Sequence, residues 1–503
     1  MAFKEVLYNY IDNKFLKENI FLQAVPEKKD LPDFEAAKEV LPEPFWVGHE
    51  MTIQCYWRSW ELAFLNLRKP TSDNGFITNY IDTAFNDCIF MWDSCFILLF
   101  ARYGCRAFNF QKTLDNFYTK QHRDGFICRE VDEHNGYDRF HRFDPASTGP
   151  NMMPFTEWEY YLNYGDKERL KEIFPVLVAY HQWFREFRTW RDGTYWSSGW
   201  GCGMDNQPRL RKMYHECFTH GHQVWADTCF QQILSAKILI EISNEIGRRH
   251  EIPEFEEEIG HLSDFVNSKL WDEDSAFYYD LWKGDELNYV KSIGSYWALL
   301  AGVLPEDKKE RFISHLKNKK EFDRPHPIPT LSADHPCYNE NGDYWRGSVW
   351  APTNYMVLKG LQKYGYNKLA YDIAIKHLDN VVKVYESTGT LWENYAPEKA
   401  SCGNPAKPDF VGWTGLPPIA VLFEYVFGLK PDVPNSRLEW DIRLLEAHGV
   451  CRYPFGKKGI MTLKSEKRNS VDEKPVIEIS SNIPVTVFVK WDKGEETIKL
   501  NGA

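Results

Sequence analysis

Between residue 50 and about residue 430, apolar positions recur at intervals of three and four. That spacing lays them along one face of a helix. It predicts helices near 50–68, 79–104, 107–121, 155–165, 167–190, 222–247, 252–270, 291–303, 306–318, 350–364, 367–386 and 415–428. The intervening loops, 122–154, 191–221, 272–290, 319–349 and 388–414, are rich in Gly, Pro, Asp, Asn and aromatic residues. Twelve helices taken as six hairpins imply a mainly α fold, an (α/α)6 barrel. Its long loops would gather at one end as a funnel. An irregular helical array would carry the same periodicity.

The pattern changes at both ends of the chain. Residues 1–49, with Pro26, Pro32, Pro42 and Pro44, read as a short helix followed by an extended arm. Pro431, Pro434 and Asn435 form a break, after which the runs 437–443, 459–464, 476–480 and 484–490 are short and β-rich. The expected division is an arm over 1–49, a helical domain over 50–430 and a small β unit over 431–503. That unit is too small to be comfortably stable alone.

Composition narrows the class. The hydrophobic fraction of 43% and charged fraction of 26% are those of a soluble globular protein. No run reaches the roughly 18 apolar residues of a membrane span. The N-terminal stretch has no uninterrupted apolar h-region, so no secretory signal is expected. A net charge of −12 without a basic stripe argues against nucleic acid and membrane surfaces as partners. The 11 cysteines are scattered, with no CxxC pair, which argues against zinc and a disulfide framework. Reduced thiols in a cytoplasmic protein are the simplest account. No cofactor is implied, and no metal-ligand spacing is evident. The 19 tryptophans suit sugar-ring stacking and a large core equally.

Two segments carry candidate chemistry. LWENY (391–395) and GMDNQPR (203–209) each set one carboxylate, Glu393 or Asp205, among aromatic and structure-breaking residues. Partial desolvation raises such a carboxyl's pKa toward working pH. A pair of them is what glycoside hydrolysis needs, one acid for the leaving oxygen and one base for water. Singly, either could be an ordinary acidic residue. Four further segments sit at helix–loop junctions: FMWDS (90–94), TGPN (148–151), YWRGSVWAP (344–352) and DFVGWTG (409–415). A sugar pocket needs acceptors for hydroxyl pairs (Asp93, Asn151), a planar donor fork (Arg346) and apolar walls (Trp92, Trp345, Trp413). Structural roles compete: Trp413 in the core, or Asp93 capping its helix.

YWRGSVWAPTNYMVLKGLQKYG, LWENYAPEKASCGNPAKPDFVGWTGLPPIAVLFEYVFGL and SSGWGCGMDNQPR together resemble the (α/α)6-barrel inverting α-glycosidases. These include the trehalases of glycoside hydrolase family 37. They also include the processing α-glucosidases and mannosylglycerate hydrolases of family 63. FMWDSCF and STGPNMMPFTEWEYY look like the group's earlier motifs in the same order, so the resemblance spans roughly 80–428. It implies an exo-acting, inverting α-glycosidase with a small carbohydrate substrate. Asp205 matches the general acid and Glu393 the general base. Trp92, Asp93, Asn151, Trp345, Arg346 and Trp413 fall where the group lines its −1 sugar subsite. Met204 and Tyr344-Trp345-Arg346 depart from the trehalase pattern and favour the family 63 side. Trp200 and Met204 could supply the desolvation Asp205 needs. Arg209 joins the candidate binding set; it could orient the acid loop or lower the pKa of Asp205.

Other readings stay open on the sequence. A sugar phosphorylase would use phosphate as nucleophile, although retention of Glu393 argues against it. An epimerase would use histidine, for which His215, His220 and His222 are candidates. A non-catalytic carbohydrate-binding protein would keep the tryptophans and lose a carboxylate. Glucose against mannose, the aglycone and the oligomeric state are not legible.

Overall fold

Twelve helices follow one another with the spacing that the apolar pattern predicts. A computed structural model describes residues 12–502, so the first part of the predicted arm lies outside the described residues. The arm contains α1 (Phe34–Lys38) and the strand β1 (Glu43–Trp46). Then come α2 (Glu50–Leu65), α3 (Met91–Ala101), α4 (Asp115–Tyr118), α5 (Met153–Tyr164), α6 (Lys167–Phe187) and α7 (Ala226–Ile246). They continue as α8 (Glu254–Phe265), α9 (Trp297–Ala301), α10 (Lys309–Ser314), α11 (Ala351–Lys363), α12 (Asn367–Thr388) and α13 (Leu416–Val426). The last of these is wound as a π-helix.

Their faces sort them into two sets. Every residue of α3 (MWDSCFILLFA) and of α13 (LPPIAVLFEYV) is buried, as all-round apolar helices must be. By contrast α6, α8 and α12 keep exposed polar faces. Contacts run α3–α5, α5–α7, α7–α9, α9–α11, α11–α13 and back from α13 to α3. Outside this circuit, α6 packs on α5 and α7, α8 on α7, and α12 on α11 and α13.

Buried charges tie the inner helices together near their C-terminal ends. Arg102, just past α3, donates to Glu424 of α13 at 2.6 Å and to Glu159 of α5 at 3.3 Å. Lys359 of α11 donates to Glu159 at 2.7 Å. Every charge in this knot has a partner, which burial requires. The opposite end, where the inner helices begin, is left for the long loops.

Three predicted helices begin later than their periodicity implies; 291–303 is α-helical only from Trp297, after a 3₁₀ turn over Ile293–Tyr296. The stretch 79–104 is helical only from Met91. Tyr80–Ile81 pairs with Leu67–Arg68, and Cys88–Phe90 pairs with Glu130–Asp132. The polar pair Asn86-Asp87 interrupts the apolar run there. The stretch 107–121 is mostly a tighter 3₁₀ turn over Phe110–Leu114 ahead of α4.

The C-terminal strands are β2 (Leu429–Asp432), β3 (Arg437–Asp441), β4 (His448–Phe455), β5 (Gly459–Ser465), β6 (Ile477–Ser481), β7 (Pro484–Trp491) and β8 (Gly494–Asn501). One four-stranded sheet has the order β1-β4-β5-β6 and the other β2-β3-β7-β8. The arm therefore supplies an edge strand to the C-terminal region, with Glu43 opposite Cys451. Among the described residues, no helix is long and apolar enough to cross a membrane.

Candidate active site

Loops leading into the inner helices surround a cavity of about 250 Å³. Asp93 lies in the first turn of α3, Pro150 before α5, Trp345 before α11 and Trp413 before α13. Asp205 comes from the long loop ahead of α7, and Glu393 from the loop between α12 and α13. Six predicted residues thus meet in one lining: Trp92, Asp93, Asp205, Trp345, Glu393 and Trp413.

The aromatic wall is a packed unit. Trp345 stacks on Trp350 at 3.8 Å between ring centroids, 4° from parallel. Trp350 meets Trp413 nearly edge-on at 5.4 Å. The Trp413 indole N–H donates to the backbone oxygen of Glu393 at 3.0 Å, so the same wall positions the carboxylate loop.

Both oxygens of Glu393 are held. The Tyr344 hydroxyl donates to Oε1 at 3.0 Å, and the Lys407 amide donates to Oε2 at 3.2 Å. Burial nevertheless outweighs these donors and pushes the Glu393 carboxyl up to about 7. The charge of Asp205 adds to that rise. Asp205 is itself pushed up to about 6, again chiefly by burial. Arg129 opposes that shift, while Glu130 and Glu216 add to it. Asp93 is driven well above the usual carboxylate range by burial, then by Glu130 and Glu393.

Asn206, next to Asp205, stitches the two loops together. Its Oδ1 accepts from the Trp345 amide at 2.8 Å and its Nδ2 donates to the Asp343 oxygen at 3.0 Å. Asp343 and Tyr344 have φ of 44° and 63°. Left-handed backbone at such residues costs about 1–3 kcal/mol each and persists only where the surroundings impose it. Here it aims the Tyr344 hydroxyl at Glu393.

Three predicted residues lie off the lining. Arg346 braces the acid loop, donating from Nε to the Asn206 oxygen at 2.9 Å and from Nη1 to Asp343 at 3.3 Å. Asn151 is buried and donates to Ser235 Oγ at 3.2 Å. Arg209 is buried between Asp227 and Asp280 in two forked ion pairs at 2.5–3.0 Å. It anchors the loop after Asp205 and touches neither carboxylate of the cavity. Arg209→Ala would strand two buried carboxylates. A loss of about 3–5 kcal/mol is expected, read by chemical denaturation. An unchanged midpoint would mean the triad contributes nothing to the fold.

Sequence reasoning missed Arg129, Glu130 and Phe85, and took Phe90 and Tyr344 only as parts of motifs. Arg129 donates to the Trp200 oxygen at 2.5 Å and also to Glu130. The one available signal was an Arg-Glu pair inside the apolar stretch GFICREV. None of His215, His220 and His222 lines the cavity. Among the described residues, no cluster of His, Cys, Asp or Glu is placed to hold a metal ion.

Two proton-poised carboxyls between tryptophans, on a frame of paired helices, define a carbohydrate-cleaving class of site. The chain belongs to the mannosylglycerate hydrolase MGH1-like glycoside hydrolase family, whose model matches residues 88–414, and it is a glycoside hydrolase. An uncharacterised protein of Borreliella burgdorferi is 26% identical over 378 residues, 72% of this chain and 77% of that protein. A probable mannosyl-oligosaccharide glucosidase of Schizosaccharomyces pombe is 25% identical over 280 residues, 49% of this chain. The match spans about a third of that relative's length, 34%. In fold, the chain resembles a GH63 mannosylglycerate hydrolase from Thermus thermophilus solved with glucose. That likeness has a TM-score of 0.58 at 20% identity and covers 73% of this chain and 99% of that one.

Proposed function

We propose that this chain is an exo-acting, inverting α-glycosidase that removes one glucose or mannose unit from an α-linked small oligosaccharide or glycoside. One observation carries the reading. Asp205 and Glu393, remote in sequence, line a single small cavity walled by Trp92, Trp345 and Trp413. The cavity is smaller than the roughly 300–1,000 Å³ of common ligand sites, which suits one sugar ring. The circuit of inner helices supports an (α/α)6 barrel over 50–430. The described part of the N-terminal arm and the C-terminal β unit belong together through β1. The eleven unpaired cysteines support a reducing, cytoplasmic setting.

In this reading Asp205, whose carboxyl burial pushes up to about 6, donates its proton to the glycosidic oxygen. Glu393, ionised and held by Tyr344 and Lys407, takes a proton from water on the opposite face of the ring. Carboxyls in such a pair stand roughly 6.5–9.5 Å apart, which leaves room for the water. An α-glycoside should therefore release the β-sugar first. Proton NMR of the anomeric signal in the first minutes decides this; early α-anomer would exclude Glu393 as a base acting through water.

The same pair sets the pH dependence. The Asp205 charge raises the pKa of Glu393, so the two carboxyls titrate as a coupled pair. Because Glu393 is raised further than Asp205, the single proton rests mainly on Glu393, and the active form is the minor one in which it sits on Asp205. Below about 6 both carboxyls are protonated, and above about 7 neither is. The kcat/KM profile should be a narrow bell with its maximum between those values. A flat profile from pH 5 to 8 would remove the pair from the mechanism.

A further inference from the structure

The active-site cavity shares a wall with a second one. Phe85 and Asn86 line both. The second cavity, about 510 Å³, is also bounded by Arg68, Tyr80, Asp82, Glu133 and Lys407.

Its cations are already engaged. Arg68 Nη1 donates to the Leu65 and Leu67 oxygens at 2.9 and 3.0 Å, and Nη2 lies 3.9 Å from Asp82. The Lys407 ammonium donates to the backbone oxygens of Ala84 and Phe85. Lys69 pairs with Asp30 at 2.7 Å.

The acceptors are not engaged in the same way. Asp82 is only 5% exposed, and its Oδ1 takes no hydrogen bond of normal geometry among the described residues. Glu133 Oε1 is in the same condition. A buried carboxylate oxygen without a donor is costly. The lining therefore sets under-used carboxylate acceptors, with the Tyr80 hydroxyl beside Glu133, among lysine and arginine side chains that are already committed. Across the shared wall stand four more carboxyls: Asp93, Glu130, Asp205 and Glu393. Arg129 of the same lining pairs with Glu130, and burial raises the pKa of the other three, so the negative charge that remains is small and weakly disfavours an anion beside Phe85.

We propose that the second cavity is the leaving-group subsite and takes a neutral sugar, whose hydroxyls donate to Asp82 and Glu133, in preference to an acid-bearing aglycone. This rests on the glycosidase reading above and names the leaving group for it. Lys407 links the two cavities. Its side chain pins the Ala84–Phe85 backbone that divides them, and its amide holds the base Glu393.

The test measures kcat/KM for α-glucosyl and α-mannosyl disaccharides, for the corresponding glycosides of glyceric acid, and for the α-glycosyl fluorides. Fluoride is too small to reach the second cavity, so each rate is divided by the fluoride rate. In the wild-type enzyme the disaccharides should exceed the glycerates by about tenfold or more. Asp82→Asn and Glu133→Gln should each lower the disaccharide-to-fluoride ratio by about tenfold or more, the worth of one hydrogen bond to a charged group. The fluoride rate also reports whether each variant has folded. Fluoride turnover with an unmoved ratio in both variants overturns the subsite and leaves the glycosidase reading standing. So does a preference for glycerate or for an aminosugar leaving group. A wild-type enzyme inert toward both fluorides overturns the glycosidase reading, and the subsite with it.

Discussion

Glu393→Gln is expected to lower kcat by about 10²–10⁴-fold, the usual worth of a general base. The protein should remain folded, because glutamine keeps the shape and can turn its amide to suit both neighbours. Its oxygen would accept from the Lys407 amide, and its NH₂ would donate to the Tyr344 hydroxyl, which replaces the two bonds now made by the carboxylate. The sign of the stability change follows from linkage. Burial holds the folded-state pKa of Glu393 near 7, above its unfolded value of 4.5. Between those values the folded protein binds more protons, so this carboxyl's contribution to stability falls as pH rises. The variant should thus match wild type in stability below about pH 4.5 and equal or exceed it at pH 8. Steady-state kinetics and denaturant melts on the same preparation check both halves. Retention of more than about a tenth of wild-type kcat would remove Glu393 from the role of base.

The helical frame was legible because its signal is local. A helix with one apolar stripe, such as α6 or α12, writes its period directly into the sequence. Where the reading slipped, the deciding contacts were distant. Residues 79–90 are apolar enough to pass for helix, yet Cys88–Phe90 is extended because it pairs with Glu130–Asp132 some forty positions on. The strands β4 and β8 were passed over for a related reason. Within β4 the register shifts between Val450 and Tyr453, which breaks the two-residue period. On β8 the less exposed positions are Gly494, Glu496, Ile498 and Leu500, so only the second half of the strand shows an apolar alternation. Nor could period alone join β1 to β4, four hundred residues apart.

At the candidate site, aromatic residues beside a carboxylate proved informative. Each of Trp92, Trp345 and Trp413 lines the cavity that Asp205 and Glu393 share. Cationic residues were harder to place. An arginine near a catalytic loop reads identically whether it faces substrate or braces the chain, and only partners separate the two. Arg209 is saturated by Asp227 and Asp280, and Arg346 is turned toward Asn206 and Asp343. Arg129 does reach the lining, from a stretch whose sequence offered no tryptophan beside it to mark it. Tyr344 matters through its left-handed backbone, which the preceding Gly342-Asp343 hinted at without fixing.

Asp205→Asn should separate substrates by their leaving groups. Asparagine preserves the side chain's size but has no acidic proton to give. A disaccharide, whose departing alkoxide needs that proton, should lose about 10²–10⁴-fold in kcat. An α-glycosyl fluoride needs far less proton assistance and should lose less than about tenfold. The pH profile supplies an independent mark. With only Glu393 left to titrate, the fall above about 7 should vanish, leaving a single rise toward high pH. That rise should sit below about 7, because the Asp205 charge that helps hold Glu393 up is gone. Equal losses on fluoride and disaccharide, with the bell intact, would assign Asp205 a binding or structural role. The acid would then have to be Asp93, a buried carboxyl of the same lining, driven well above the usual range and so available as a proton donor.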